Sequence, residues 1–273
     1  ALLYGSAVFE GIHSYKTEKG AAIFRLEEHI KRLFHSAKSF GMQIKFSELE
    51  LKNAVKTLIR KNRLDDAYIR PMAYYGYGNV GVYPANVPTN VVIIAIPWDK
   101  YFSRNLSITV SKYIRHSEKS SVFGAKISGN YANSILAMHE ARVKGYDEAL
   151  ILDYKGYVAE GPAENLFAVK NGELITPSSR SSLHGITRDT ILKIGRDIGI
   201  KSYQKRVTLK EVKNADELFY CGTMMEIAPI VSLNGKKISN GKMGEITKRI
   251  MDKYYSVVRG NDKKYKNWLA YVD

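Results

Sequence analysis

Two hydrophobic periods alternate along the first hundred residues. Val8 to Lys16 reads as a strand, Thr17-Glu18-Lys19-Gly20 as a turn and Ala22 to Leu26 as its partner strand. From Glu27 to Phe40 the spacing becomes helical, with Ile30, Leu33, Phe34 and Ala37 on one stripe and Gly41 as the stop. Ser47-x-x-Glu50 is a capping box that opens a second helix, burying Leu51, Val55, Leu58 and Ile59. Two strands follow, Ala67 to Tyr75 and Asn90 to Pro97, so this part reads ββααββ.

The second half carries similar signals. Ser107 to Val110 is strand-like, and a helix is predicted from Asn130, as N-cap, to Val143, ending at Gly145. Its apolar positions are Tyr131, Ile135, Met138 and Ala141. Glu148 to Asp153 reads as a strand and Lys155-Gly156 as a turn. Asn165 to Lys170 and Glu173 to Thr176 form a hairpin across Asn171-Gly172. A helix runs from Gly185 through Asp197, with Ile191, Ile194 and Ile198 on one face and Gly199 as its stop. Thr208-x-x-Glu211 caps a short helix, Leu218 to Cys221 is a strand, and a last helix spans Gly244 to Val258. We expect a small N-terminal α+β domain over 1–99, an interdomain loop over 100–105 and a larger domain over 106–273.

Composition changes this picture little. The 273 residues include 42 Lys+Arg against 27 Asp+Glu, a formal net charge of +15. A nucleic-acid binder could look like this. Here, however, acids are interleaved with the bases (Glu27, Glu28, Glu48, Glu50, Asp65, Asp66), which favours a basic enzyme with anionic ligands and no nucleic-acid partner. A non-catalytic nucleic-acid-binding protein is the alternative of another class. The single cysteine, Cys221, excludes an intrachain disulfide and suits a reducing cytoplasm. No apolar run approaches the roughly 18 residues that span a bilayer, so no membrane role is expected.

Three apparent motifs are rejected. Gly76-x-Gly78-x-x-Gly81 matches a dinucleotide fingerprint but leads to Val82-Tyr83-Pro84 and a strand, where a helix is required. His139-Glu140-Ala141-Arg142-Val143 lacks the second histidine of a zinc-protease helix. Glu160 and Glu164 are paired carboxylates with nothing else to support glycoside hydrolysis.

Lys126 is different. It lies among small residues in Gly124-Ala125-Lys126-Ile127-Ser128-Gly129, just ahead of a helix. A lysine held in such surroundings can lose part of its hydration, and its amine can then act as a nucleophile that condenses with a carbonyl. Thr187, with the N–H groups at the start of its helix, forms an anion site for which phosphate is the expected guest. Tyr68 and Arg70 alternate onto one strand face, where they can offer a hydroxyl and a guanidinium to a carboxylate.

Ala125-Lys126 with Gly129-Asn130-Tyr131, then Glu160-Gly161-Pro162-Ala163-Glu164-Asn165-Leu166-Phe167, then Gly185-Ile186-Thr187-Arg188-Asp189, then Gly222-Thr223, resembles the branched-chain aminotransferases. These are pyridoxal-phosphate enzymes of fold type IV. The resemblance covers essentially the whole chain. It implies an α+β protein in which a small α+β domain precedes a larger, cofactor-binding, α/β barrel-like domain. The chain starts almost on the motif Tyr4-Gly5, Phe9-Glu10-Gly11, so a native N-terminal segment is expected to be missing.

The resemblance implies roles. Lys126 would hold pyridoxal 5'-phosphate and shuttle the substrate proton. Arg32, Thr187 and Thr223 would bind its phosphate, Glu160 its ring nitrogen and Tyr131 its phenolic oxygen; Leu183, Gly185, Ile186 and Gly222 complete the cofactor set. Arg70 would receive the side-chain carboxylate of glutamate or 2-oxoglutarate, with Tyr68 assisting at the α-carboxylate. Tyr4, Phe9, Trp98 and Tyr101 would line the substrate pocket. Val82 would reach the site of a second subunit, so a homodimer or larger homo-oligomer is implied. The implied reaction moves the amino group of leucine, isoleucine or valine to 2-oxoglutarate. Met224-Met225 stands where the family commonly has two alanines, so Met224 is a candidate to alter side-chain preference. D-amino-acid aminotransferases, R-selective amine transaminases and aminodeoxychorismate lyases share the fold; Tyr68-x-Arg70-Pro71 favours the branched-chain enzymes.

Overall fold

The computed structural model describes residues 3–79, 81–98 and 105–272. In chain order the elements are β1 (Ala7–Phe9), β2 (Ile12–Thr17), β3 (Gly20–Phe24), α1 (Leu26–Ser39), α2 (Glu48–Lys61), β4 (Ala67–Tyr75), β5 (Thr89–Pro97), β6 (Leu106–Val110), α3 (Tyr131–Val143), β7 (Glu148–Leu152), β8 (Val158–Glu160), β9 (Asn165–Lys170), β10 (Glu173–Pro177), α4 (Ile186–Asp197), β11 (Ser202–Lys205), α5 (Leu209–Lys213), β12 (Glu217–Gly222), β13 (Glu226–Leu233), β14 (Lys236–Lys237), α6 (Glu245–Val258) and β15 (Leu269–Tyr271). They form two compact units. The first contains Ala1–Asp99, Gly124–Asn130 and Ser256–Asp273; the second contains Lys100–Phe123 and Tyr131–Tyr255. The Lys126 segment therefore belongs to the first unit, although its neighbours on both sides in the chain belong to the second.

In the first unit β4 is the central strand. One edge pairs along its whole length with β5, from Ala67↔Pro97 to Tyr75↔Thr89. The other edge is shared, with β2 against Ala67–Ile69 and β1 against Met72–Tyr74. The single strand expected from Val8 to Lys16 is thus two strands. It breaks at Glu10-Gly11, where Glu10 N donates to Pro71 O and the Glu10 carboxylate turns inward. A Cβ on Gly11 would strike the Tyr68 hydroxyl, so a larger residue there would have to displace the Tyr68 ring. β3 and β15 extend the sheet. Ile30, Leu33 and Ala37 of α1 and Leu51, Val55 and Ile59 of α2 share one core with Ile12, Ile23, Ala67, Ile69 and Ala73. The capping box of α2 forms, with Glu50 N donating to Ser47 Oγ and Ser47 N donating to Glu50 Oε2. Because Ala67, Ile69 and Ala73 point to that core, the intervening Tyr68 and Arg70 lie on the opposite face of β4.

The second unit is a curled mixed sheet in the order β11-β10-β9-β12-β13-β6-β7-β8, with β14 on β13. Val158 of β8 and Ile175 of β10 come from distant positions in that order. They nevertheless share one core with Leu106, Ile108 and Leu150, because the sheet curls. The β9–β10 hairpin turns at Asn171 (φ +49°) and Gly172 (φ +78°), as its Asn-Gly pair predicts. The Glu217 carboxylate on β12 caps α6, accepting from Ile246 N and Thr247 N. Arg188 of α4 is buried and donates to Thr176 Oγ1, Pro177 O and Gln204 Oε1, tying the helix to β10 and β11. The helix α3 corrects one expectation. Its buried positions are Ser134, Ala137 and Ala141, while Ile135 is 68% exposed. Small residues let α3 lie close to β7, against Ala149 and Ile151, and turn the larger side chains outward.

Candidate functional site

In the first unit the Lys126 segment is laced to β1 and α1. Phe9 N donates to Lys126 O at 3.2 Å, Lys126 N donates to Ser36 Oγ at 3.0 Å, and Val8 bridges Ile127. Gly129 N donates to Gly5 O, and a Cβ on Gly5 would come within 2.6 Å of Gly129 Cα, so the two backbones need this glycine to approach. The Lys126 side chain is half-buried, with Nζ 4.7 Å from the centre of the Phe9 ring.

Phe9 is also the floor for Arg70, whose guanidinium carbon lies 5.1 Å from the Phe9 ring and 5.1 Å from the Tyr68 ring. Arg70 Nη2 donates to Tyr68 Oη at 2.7 Å, while Arg70 Nε is buried without a hydrogen-bond partner among the described residues. That orphan donor favours an incoming acceptor. Trp98 packs against Tyr68, with ring centres 5.4 Å apart. Phe9, Tyr68, Arg70, Trp98 and Lys126 thus form one neighbourhood linked through Phe9 and Tyr68. Tyr4 is exposed, Val82 is 81% exposed, and Tyr101 lies outside the described residues.

Arg32 is not a solvated helix charge. Its Nε donates to Glu10 Oε1 at 2.6 Å and its Nη2 to Glu10 Oε2 at 2.9 Å, and His29 Nδ1 lies 2.7 Å from the same carboxylate. Burial alone would raise the Glu10 pKa; the Arg32 guanidinium and His29 outweigh it and hold the carboxyl at about 2.

In the second unit Glu160 is the focus. Its Oε1 accepts from Arg115 Nε at 2.8 Å and forms an ion pair with Arg115 Nη2, also at 2.8 Å. Its Oε2 accepts from Asn165 Nδ2 and Leu183 N, each at 3.0 Å. All are donors suited to an ionised carboxylate held in one place. Ser134 Oγ accepts from Arg115 Nη1 and donates to Pro162 O.

Gly185 is the N-cap of the twelve-residue helix α4 and supplies no side-chain cap to the N–H groups of Ile186 and Thr187 at its start. A Cβ on Gly185 would strike Asn165 Oδ1, so a larger residue would have to displace the amide that donates to Glu160. Thr187 is buried in the first turn. Thr223, Met224 and Met225 form the three-residue turn between β12 and β13, whose last pair is Gly222↔Glu226. The methionines part company: Met225 is in the core, and Met224 is 40% exposed beside Thr223. Tyr131 is the half-buried first residue of α3.

Residues 7–233 match the sequence model of the family described as amino-transferase class IV. The chain belongs to the class IV aminotransferases. Among its relatives, the branched-chain-amino-acid aminotransferase of Pseudomonas aeruginosa is 41% identical over 99% of this chain and 90% of that protein. The Escherichia coli enzyme of the same name is 40% identical over 100% of this chain and 91% of that protein. Among solved structures, the branched-chain amino acid aminotransferase of Thermobaculum terrenum in its PLP-form has a TM-score of 0.95 at 36% identity, covering 100% of this chain and 92% of that one. The expected fold class stands: helices and sheets are mixed, and the larger sheet is curled.

This class IV aminotransferase has residues that fit pyridoxal phosphate by donor chemistry. The uncapped start of α4 suits a phosphate, and the buried Glu160 carboxylate suits a protonated ring nitrogen. Sequence reasoning missed Arg115, Ser134, Asn165 and His29. Asn165 stands inside the motif that runs from Glu160 to Phe167, whereas Arg115 in Tyr113-Ile114-Arg115-His116 has no periodic or motif signal. Among the described residues no group of His, Cys, Asp and Glu could hold a metal ion, and no helix is long and apolar enough to cross a membrane.

Proposed function

We propose that this aminotransferase moves the amino group of leucine, isoleucine or valine to 2-oxoglutarate, giving the 2-oxo acid and L-glutamate, with pyridoxal phosphate as cofactor. The observation that carries the substrate reading is the guanidinium of Arg70 set between the Phe9 and Tyr68 rings, with Nε unpartnered among the described residues. Aromatic walls suit a branched aliphatic side chain; the cation suits the acidic side chain of the second substrate.

Lys126 would hold the cofactor through its amine and, once the substrate amine has taken its place, the freed Lys126 amine would move the proton at the substrate Cα, first as base and then as acid. When bound, the cofactor supplies an electron-accepting ring that acidifies that proton. Glu160 would meet the ring nitrogen and Tyr131 the phenolic oxygen. Arg32, Thr187, Thr223 and the backbone of Gly185, Ile186 and Gly222 would hold the phosphate end; Leu183 N donates to Glu160. Tyr4, Phe9 and Trp98 would face the substrate, and Met224 would limit the side chain that fits. Tyr77, Val82 and Tyr83 are strongly exposed, which supports a homodimer in which a second subunit covers this loop. A cytoplasmic setting accords with the buried, unpaired thiol of Cys221.

The test is the near-visible spectrum of the protein supplied with pyridoxal phosphate. We expect a yellow band that L-leucine bleaches and 2-oxoglutarate restores, with no cycle in Lys126→Ala. A band that responds only to D-alanine or to an R-amine would move the function to another branch of the fold. Failure of the intact protein to form any band would refute the Lys126 role.

A further inference from the structure

A polar cavity of about 250 Å³ opens on the second unit between the turn that follows β7, residues 178–181 after β10, and Arg206 beyond β11. Its cations are Lys155, Arg180 and Arg206. Among the described residues none of the three has a carboxylate partner. Lys155 and Arg206 rest over the rings of Tyr154 and Tyr157, at 5.2 and 5.7 Å.

The cavity also holds two acids, and both are engaged. Asp153 accepts from Lys155 N, Tyr157 N and Ser179 Oγ. Glu118 accepts from Tyr154 Oη at 3.4 Å. Ser181 Oγ is buried with no hydrogen-bond partner among the described residues, a donor left for something that accepts.

We propose that this cavity binds a phosphate group, either the free ion or that of a small phosphate ester. Two guanidinium forks, an ammonium and a hydroxyl come from separate segments, which suits a tetrahedral oxyanion with several acceptor oxygens. The volume exceeds what one ion fills, which leaves room for the organic part of an ester. The proposal requires no part of the transamination reading. Its residues are different from those assigned to the cofactor.

The experiment is calorimetric titration of the full chain, loaded with pyridoxal phosphate and freed of excess, at constant ionic strength. The probes are inorganic phosphate and glycerol 3-phosphate. Saturable binding at one site per chain is expected, and Arg180→Ala/Arg206→Ala should weaken it at least about tenfold. Both side chains are exposed, so the fold should survive; Ser181→Ala gives an independent, smaller weakening. Lys38→Ala/Lys61→Ala removes two exposed charges elsewhere and should change nothing. Tighter binding of the ester supports an organic phosphate; equal binding supports the free ion. Absence of saturable binding, or equal weakening by the Lys38/Lys61 pair, overturns the proposal.

Discussion

Arg115 meets a single oxygen of Glu160, donating to it from Nε at 2.8 Å and pairing its charge with it through Nη2 at 2.8 Å, with both side chains buried. Glu160 closes the short β8 strand, and Arg115 follows β6 at a point fixed by Arg115 N donating to Leu152 O. Removing Arg115 leaves a buried carboxylate short of a donor and of its counter-charge. Arg115→Met should cost about 3 kcal/mol of stability, read by chemical denaturation without cofactor. In the loaded enzyme it should also shift the visible band, which a purely structural loss would leave in place.

Arg70 should separate the two half-reactions. Arg70→Met removes the guanidinium but keeps an apolar wall. We expect kcat/KM for 2-oxoglutarate to fall about a hundredfold and that for L-leucine by less than about threefold. Equal losses with both substrates would refute a role confined to the acidic side chain.

His13 should make stability depend on pH. It is buried beside Tyr15 and Trp98, with ring centres 4.4 and 5.5 Å away. Burial, helped by the charge of Arg259, pushes its pKa down to about 3. Below its ordinary value of 6.5 the unfolded chain takes a proton that the folded chain refuses, so stability declines as pH falls from 6.5 towards 3. At pH 5 the loss is about 2 kcal/mol. Urea midpoints at pH 7.5 and 5 should differ less in His13→Phe. His29, lowered by burial against the opposing pull of Glu10, keeps part of the slope.

Glu148 should act in the opposite direction. Burial first, and then the Glu164 charge, raise its pKa well above the carboxylate range. Above pH 4.5 the unfolded chain releases a proton that the folded chain keeps, so stability is lost as pH rises. Glu148→Gln should therefore stabilise the protein by about 2 kcal/mol at pH 7 and have little effect at pH 4, measured by denaturation at both values.

The features legible in the sequence were those whose cause is local. The Ser47 and Thr208 capping boxes need only residues three apart, and both form. The Asn171-Gly172 turn needs only two residues that accept positive φ. Tyr68 and Arg70 share a face because strand side chains alternate, and their hydrogen bond follows. The face of α3 was not legible: its apolar residues are nearly all round, and β7 selected the small ones because they permit close approach.

By itself, then, the sequence determined the type of most elements, since propensity, capping and alternation act over a few residues. Only the tertiary structure decided that strand 8–16 breaks at Glu10, that Arg32 meets Glu10, and that Arg115 meets Glu160. It also decided that Gly124–Asn130 joins the first unit, through Ser36 and β1. These pairings join residues between 22 and 90 positions apart. Such contacts depend on which backbones the sheets bring together, a condition that no local spacing records.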